Sequence, residues 1–159
     1  MATVTLTGQP KYHKGFEPML PGVAYVPYGD LEAMSAALTE RTAAILVEPI
    51  QGEGGVVEPP NGYLKGLRDL ADRNGYYLLF DEVQTGVGRT GQFLACDYEG
   101  VAPDGASLAK GLGGGLPVGA FLAGSALANC LVPGTHASTF GGNPVACAAA
   151  NVVIRRLTE

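Results

Sequence analysis

Apolar positions along this chain follow two patterns. Thr42 to Val47, Tyr76 to Phe80 and Val118 to Ala123 are short, almost unbroken apolar runs. Such runs predict strands buried on both faces. Leu64, Leu67, Leu70 and Ala71 recur at steps of three and four, the spacing of one helix face. Asn61 is placed to cap that helix and Gly75 to end it. Asp30 predicts a capped helix over Leu31 to Glu40. Asn143 followed by Pro144 predicts a helix of small residues reaching Leu157. Thr3 to Thr7 is β-branched and reads as a strand, as does Val23 to Val26, with a loop over Lys11 to Pro21 between them. Ser107 to Ala109 is a further short apolar segment, ending at Lys110.

Strands alternating with helices predict an α/β fold, a mostly parallel sheet flanked by helices. Ligands of such sheets bind beyond the carboxyl ends of the strands. Three stretches fall there: Glu48 to Glu53, Asp81 to Gln84, and Lys110.

Composition refines this picture. The 159 residues are 47% hydrophobic and 16% charged. The charged share is low against a usual value of about 25%, which implies that much of the surface is covered in use. There are 24 glycines and 11 prolines without a repeating period. Together they are nearly double the usual share of about 12% and point to turns and close backbone approaches. The net charge of −5 argues against a general nucleic-acid binder. No apolar run reaches the roughly 18–20 residues of a membrane helix, and the first residues lack a signal-peptide pattern. Cys96, Cys130 and Cys147 are odd in number and widely spaced, so neither a disulfide framework nor a zinc site is expected. These features together suit a cytoplasmic protein.

The segment Gly86 to Gly91 matches G-x-G-x-x-G formally. A dinucleotide site needs a helix directly behind it, and no helical stripe follows. Lys110 is followed by Gly111, which excludes a phosphate-binding P-loop. Asp81, at the end of an apolar strand, either caps a turn or presents a fixed carboxylate to a cationic ring nitrogen. Lys110 lies between apolar residues and glycines. It is either a surface lysine with a buried stem or a partly desolvated amine suited to Schiff-base chemistry. Ser138 and Thr139, ahead of a helix start, form either an ordinary turn or an anion site.

Four motifs occur in order. They are Val47-Glu-Pro-Ile-Gln-Gly-Glu53-Gly-Gly, Leu79-Phe-Asp81-Glu-Val-Gln84-Thr-Gly, Ser107-Leu-Ala-Lys110-Gly-Leu-Gly and His136-Ala-Ser-Thr139-Phe-Gly-Gly-Asn-Pro144. With Thr7 to Phe16, they make the whole chain resemble the class III pyridoxal-phosphate-dependent aminotransferases, most of all their acetylornithine branch.

The resemblance implies a fold-type I large domain and the cofactor pyridoxal 5'-phosphate. Lys110 would be the Schiff-base lysine and proton shuttle, and Asp81 would pair with the pyridinium nitrogen. Val83 would pack on the ring, and Gln84 would bond its phenolic oxygen. Glu53 would control an active-site arginine. Thr139, with Ser138, would reach the phosphate bound by a neighbouring subunit, implying a homodimer with shared active sites. The reaction implied moves an amino group from N-acetylornithine, or a similar omega-amine donor, to 2-oxoglutarate. Ornithine and 4-aminobutyrate are the rival donors. A non-catalytic fragment retaining part of the site is the alternative to a working enzyme. The family's glycine/serine-rich phosphate loop, its ring-stacking aromatic and its carboxylate-gripping arginine have no match here. Residues 1–159 would therefore be a partial large domain, without the N-terminal phosphate-loop segment and the C-terminal small domain. The same resemblance makes Thr3 to Leu6 helical, against its β-branched composition.

Overall fold

A computed structural model describes residues 1–159. The chain divides into two compact units, Met1–Thr39 and Glu40–Glu159.

In the first unit, Ala2–Leu6 is a helix (α1), so the strand read from its threonines is wrong and the family expectation is right. The reason lies in Thr5, which is 1% exposed. Its hydroxyl donates to the Met1 carbonyl at 3.1 Å and accepts from the Leu20 amide at 3.2 Å. Its carbonyl accepts from the Tyr25 hydroxyl. A threonine bonded back along a helix loses its usual preference for a strand. Val23 to Val26 has no ladder partner and is not a strand, a second correction. Leu31–Ala37 (α2) is capped as expected, Asp30 Oδ1 accepting from the Ala33 amide at 2.8 Å. It stops short of Glu40 because Leu38 turns extended.

The second unit is built on four strands in the order β1-β2-β3-β4. These are Ala44–Val47, Tyr77–Asp81, Gly105–Leu108 and Ala120–Ala123. The first three run parallel, and β4 is antiparallel to β3. The long helix Tyr63–Asn74 (α3) packs on β1 and β2. Its predicted stripe, Leu64, Leu67, Leu70 and Ala71, is buried, as are Ile45, Leu78 and Phe80. Gly75 ends it in the left-handed conformation, as expected. Gly62, not Asn61, occupies its N-cap.

The expectation of strands buried on both faces is only half met. Along β1 and β2 the alternate residues Leu46 and Tyr77 are exposed, and all four residues of β4 are exposed. Along β1 and β2, α3 covers one face of the sheet and pleating puts every second side chain on the other. Gly105 in β3 has a specific cause: a Cβ there would lie 2.5 Å from Phe121 Cζ across the sheet.

After β4 come the one-turn helix Ser125–Ala128 (α4) and the C-terminal helix Pro144–Thr158 (α5). Asn143 caps α5 as read, its Oδ1 accepting from the Ala146 amide at 2.9 Å. Ala150 of α5 joins Val87, Leu108 and Leu112 in a buried cluster, with Val153 and Ile154 packed against it. That cluster anchors the 3-10 turn Lys110–Gly113 on both sides of its lysine.

Candidate active site

The second unit gathers its chemistry at the carboxyl ends of β2 and β3. Asp81 is the last residue of β2 and pairs in register with Ser107 of β3. Its Oδ1 accepts from the Val83 amide at 2.9 Å and from the Ser107 hydroxyl at 3.2 Å. Both bonds fall on one oxygen, which leaves the other for a further partner. The bond from Val83 is a local turn contact, and the bond from Ser107 ties the carboxylate to the neighbouring strand.

Lys110 follows two residues after β3, with φ at 46°. A lysine in left-handed backbone is uncommon and is held there by its surroundings. Leu108 and Leu112 supply the hold, both buried in the α5 cluster. The side chain is exposed, not partly buried as its apolar neighbours suggested. It is nonetheless directed: Nζ donates to Gln84 Oε1 at 2.5 Å. Asp81 with Ser107, and Gln84 with Lys110, are thus two hydrogen-bonded pairs grouped at adjacent strand ends.

The other residues singled out in the sequence lie outside this group. Glu53 is exposed on the turn closed by the Gln51–Val57 bridge. Ser138 and Thr139 are exposed on the loop before α5. None of the three hydrogen-bonds to Asp81, Gln84 or Lys110.

Two supports went unread in the sequence. Glu82 is fully buried. Its carboxylate accepts from the Thr85 hydroxyl and, at 3.0 Å, from the Cys96 amide. Burial, followed by the negative charges of Glu82 and Asp97, pushes the Cys96 thiol up to about 12. Gly86 follows, where a Cβ would stand 2.7 Å from the Glu82 carbonyl oxygen and 2.7 Å from Leu108 Cδ2. This is the close backbone approach that the glycine excess pointed to. The acidic doublet Asp81-Glu82 was the available signal: one carboxylate faces the site, and the next points into the core. Ser107 had a signal too, a polar residue inside an apolar strand. No helix follows Gly91 directly; bends lead to the 3-10 segment Ala95–Glu99, so the helix that a dinucleotide site requires is missing there.

The family model "Aminotransferase class-III" matches residues 1–159. The chain belongs to the class III aminotransferases. Among curated members of this family, the acetylornithine aminotransferase of Myxococcus xanthus is 62% identical over 157 residues. That match takes in 99% of this chain and 39% of the relative. Among solved members, the ornithine aminotransferase of Toxoplasma gondii ME49 superposes with a TM-score of 0.92 at 40% identity, over 99% of this chain and 38% of that one. A PLP-bound amine transaminase from an uncultivated Pseudomonas species superposes at 0.85 with 33% identity, over 98% of this chain and 42% of that one. The chain thus spans about two-fifths of the length of the aminotransferases it matches. No helix is long and apolar enough to cross a membrane.

Proposed function

We propose that this chain is the central part of the cofactor-binding large domain of a pyridoxal 5'-phosphate-dependent aminotransferase. Its reaction moves an amino group from N-acetylornithine, or a similar omega-amine donor, to 2-oxoglutarate. One observation carries the reading: an amine, a carboxylate and an amide converge at the carboxyl ends of β2 and β3 through Lys110, Asp81 and Gln84. The 62% identity to an acetylornithine aminotransferase supports the choice of donor.

The donor set fits this cofactor. Asp81 has one carboxylate oxygen fixed by two hydrogen bonds and the other available to a cationic ring nitrogen. Lys110 presents a primary amine to an aldehyde. Gln84 spends its oxygen on Lys110, so its amide nitrogen remains to donate to a phenolic oxygen. Val83 would cover a ring face. When bound, pyridoxal phosphate supplies a conjugated cationic ring that takes up negative charge developing beside the substrate nitrogen.

The chain's own residues do the rest. Asp81 would favour the proton on the ring nitrogen of the bound cofactor, because a nearby negative charge favours the protonated form. Lys110 Nζ would take the proton from the substrate carbon that bears the nitrogen and carry it across that nitrogen to the cofactor side. Such positioned proton transfer contributes roughly 10²–10⁴-fold. Glu53 would control an active-site arginine. Ser138 and Thr139 would reach the phosphate held by a second copy, making a cytoplasmic homodimer with shared sites. The exposed apolar side chains of Phe140 and Val145, next to that loop, support a covered surface there.

The test is an absorbance scan on adding pyridoxal phosphate, beside a Lys110→Ala control, then half-reactions with three amines. A band near the visible edge that the control lacks, discharged fastest by N-acetylornithine, is the expected result. Faster discharge by ornithine would reassign the donor. A band that no amine discharges would leave a non-catalytic fragment, and no band at all would remove the enzyme reading.

A further inference from the structure

From the loop after β1 we infer that Gly52 is a positioning residue, which sets the side chain of Gln84 and through it the amine of Lys110. Gly52 has no Cβ, and the space a Cβ would take is filled by the Gln84 amide. An added Cβ would stand 2.5 Å from Cδ, 2.7 Å from Nε2 and 2.9 Å from Oε1 of Gln84. Non-bonded heavy atoms settle near 3.5–4.0 Å, so both cannot remain where they are. The Gln84 amide is the end of a flexible side chain and would give way. It is also the group that accepts the hydrogen bond from Lys110 Nζ. A methyl group at position 52 therefore breaks a contact between two other residues.

The loop itself is held in place. The Gly52 amide donates to Glu48 Oε2 at 2.8 Å, which fixes position 52 against the end of β1. The Gln51–Val57 bridge closes the turn behind it, with bonds of 3.0 Å each way. Three adjacent strand ends are thus linked in series: Glu48 sets Gly52, Gly52 leaves room for Gln84, and Gln84 holds Lys110. Gly52 is not among the residues of positive φ, so alanine is compatible with its backbone. The requirement for glycine at this position is the room it leaves and not its conformational freedom.

This deepens the proposed function by adding a residue that orients its amine. Its test needs no cofactor, so it can fail while that function stands, and the reverse. The intact chain is treated with limiting acetic anhydride, and acetylation of Lys110 is measured by mass spectrometry relative to Lys65. Lys65 is a suitable reference because its side chain is 67% exposed and lies on α3. In Gly52→Ala, Lys110 is expected to acetylate about three- to tenfold faster, as for loss of one hydrogen bond to a charged group at an exposed position. Gln84→Ala should give the same increase, and the double variant no more than Gln84→Ala alone.

Gly54→Ala is the neighbour control, since the atoms nearest a Cβ there belong to Gln51, at 3.4 Å or beyond. It should leave Lys110 unchanged. An unchanged ratio in Gly52→Ala would overturn the inference. So would an increase in Gly54→Ala of the same size, or one in the double variant beyond that of Gln84→Ala. If Gly52→Ala does not fold, recovery of folding in the double variant supports the contact, and failure of both rejects it.

Discussion

Lys110 Nζ donates to Gln84 Oε1 at 2.5 Å, and so joins the residue beyond β3 to the residue beyond β2. The two strands are parallel neighbours, so their carboxyl ends open on the same edge of the sheet. Lys110 makes this bond from left-handed backbone, with φ at 46°.

That backbone has a cost. A non-glycine residue in the left-handed region loses about 1 kcal/mol or more, and glycine does not. Lys110→Gly is therefore expected to unfold at higher urea than Lys110→Ala, by about 1 kcal/mol. Comparing the two variants removes the side-chain contacts from both and leaves only the backbone. Equal midpoints would mean that any strain at position 110 is no larger than the extra unfolded-state entropy of glycine.

Glu82 supports the site from beneath. Without its carboxylate, the buried Cys96 amide and Thr85 hydroxyl lose their acceptor. A buried group left unpaired costs about 1–3 kcal/mol. Glu82→Ala should lose about 3 kcal/mol of stability. Glu82→Gln should lose clearly less, since an amide oxygen can still accept from Cys96. Denaturant melts of the two variants check the order.

Asp104 ties α3 to the start of β3. Burial alone would raise its carboxyl; the bond from the Leu78 amide at 2.7 Å and that from Arg68 Nη1 at 2.8 Å outweigh this and hold it below its ordinary range. A group lowered on folding stabilises at pH above its unfolded value and loses that effect as pH falls through its folded value. Stability from Asp104 is thus complete by about pH 5 and declines below about pH 4. Urea midpoints at pH 5 and pH 3 should fall less in Asp104→Asn than in the parent. An equal fall would assign the acid sensitivity to other carboxylates.

Cys96 is buried and its thiol is pushed up to about 12, whereas Cys130 is exposed. The thiolate is the reactive form. At pH 8, iodoacetamide should label Cys130 within the time that leaves Cys96 untouched, and denaturant should expose both. Early labelling of Cys96 in the folded chain would show that the Glu82 cluster opens readily.

Much of this was legible in local sequence. The stripe Leu64, Leu67, Leu70 and Ala71, the caps Asp30 and Asn143, and the stop at Gly75 need only residues a turn away, and each is as read. Thr5 was misread because its partners, Leu20 and Tyr25, are distant in sequence. The burial of β1 was overstated because an apolar run reveals what a strand can bury, not how many faces are covered.

The sequence by itself determined the strand and helix alternation, the end of each strand where Glu48, Asp81 and Lys110 stand, and the family through its four motifs. Tertiary structure alone decided that β4 runs antiparallel, that Ser107 steadies Asp81, and that the Gln84 amide fills the space above Gly52. The physical reason is range. Periodicity, capping and turn chemistry act over a few bonds. Which side chains share a point in space depends on how β1, β2 and β3 lie side by side, and 26 residues separate Gln84 from the lysine it holds.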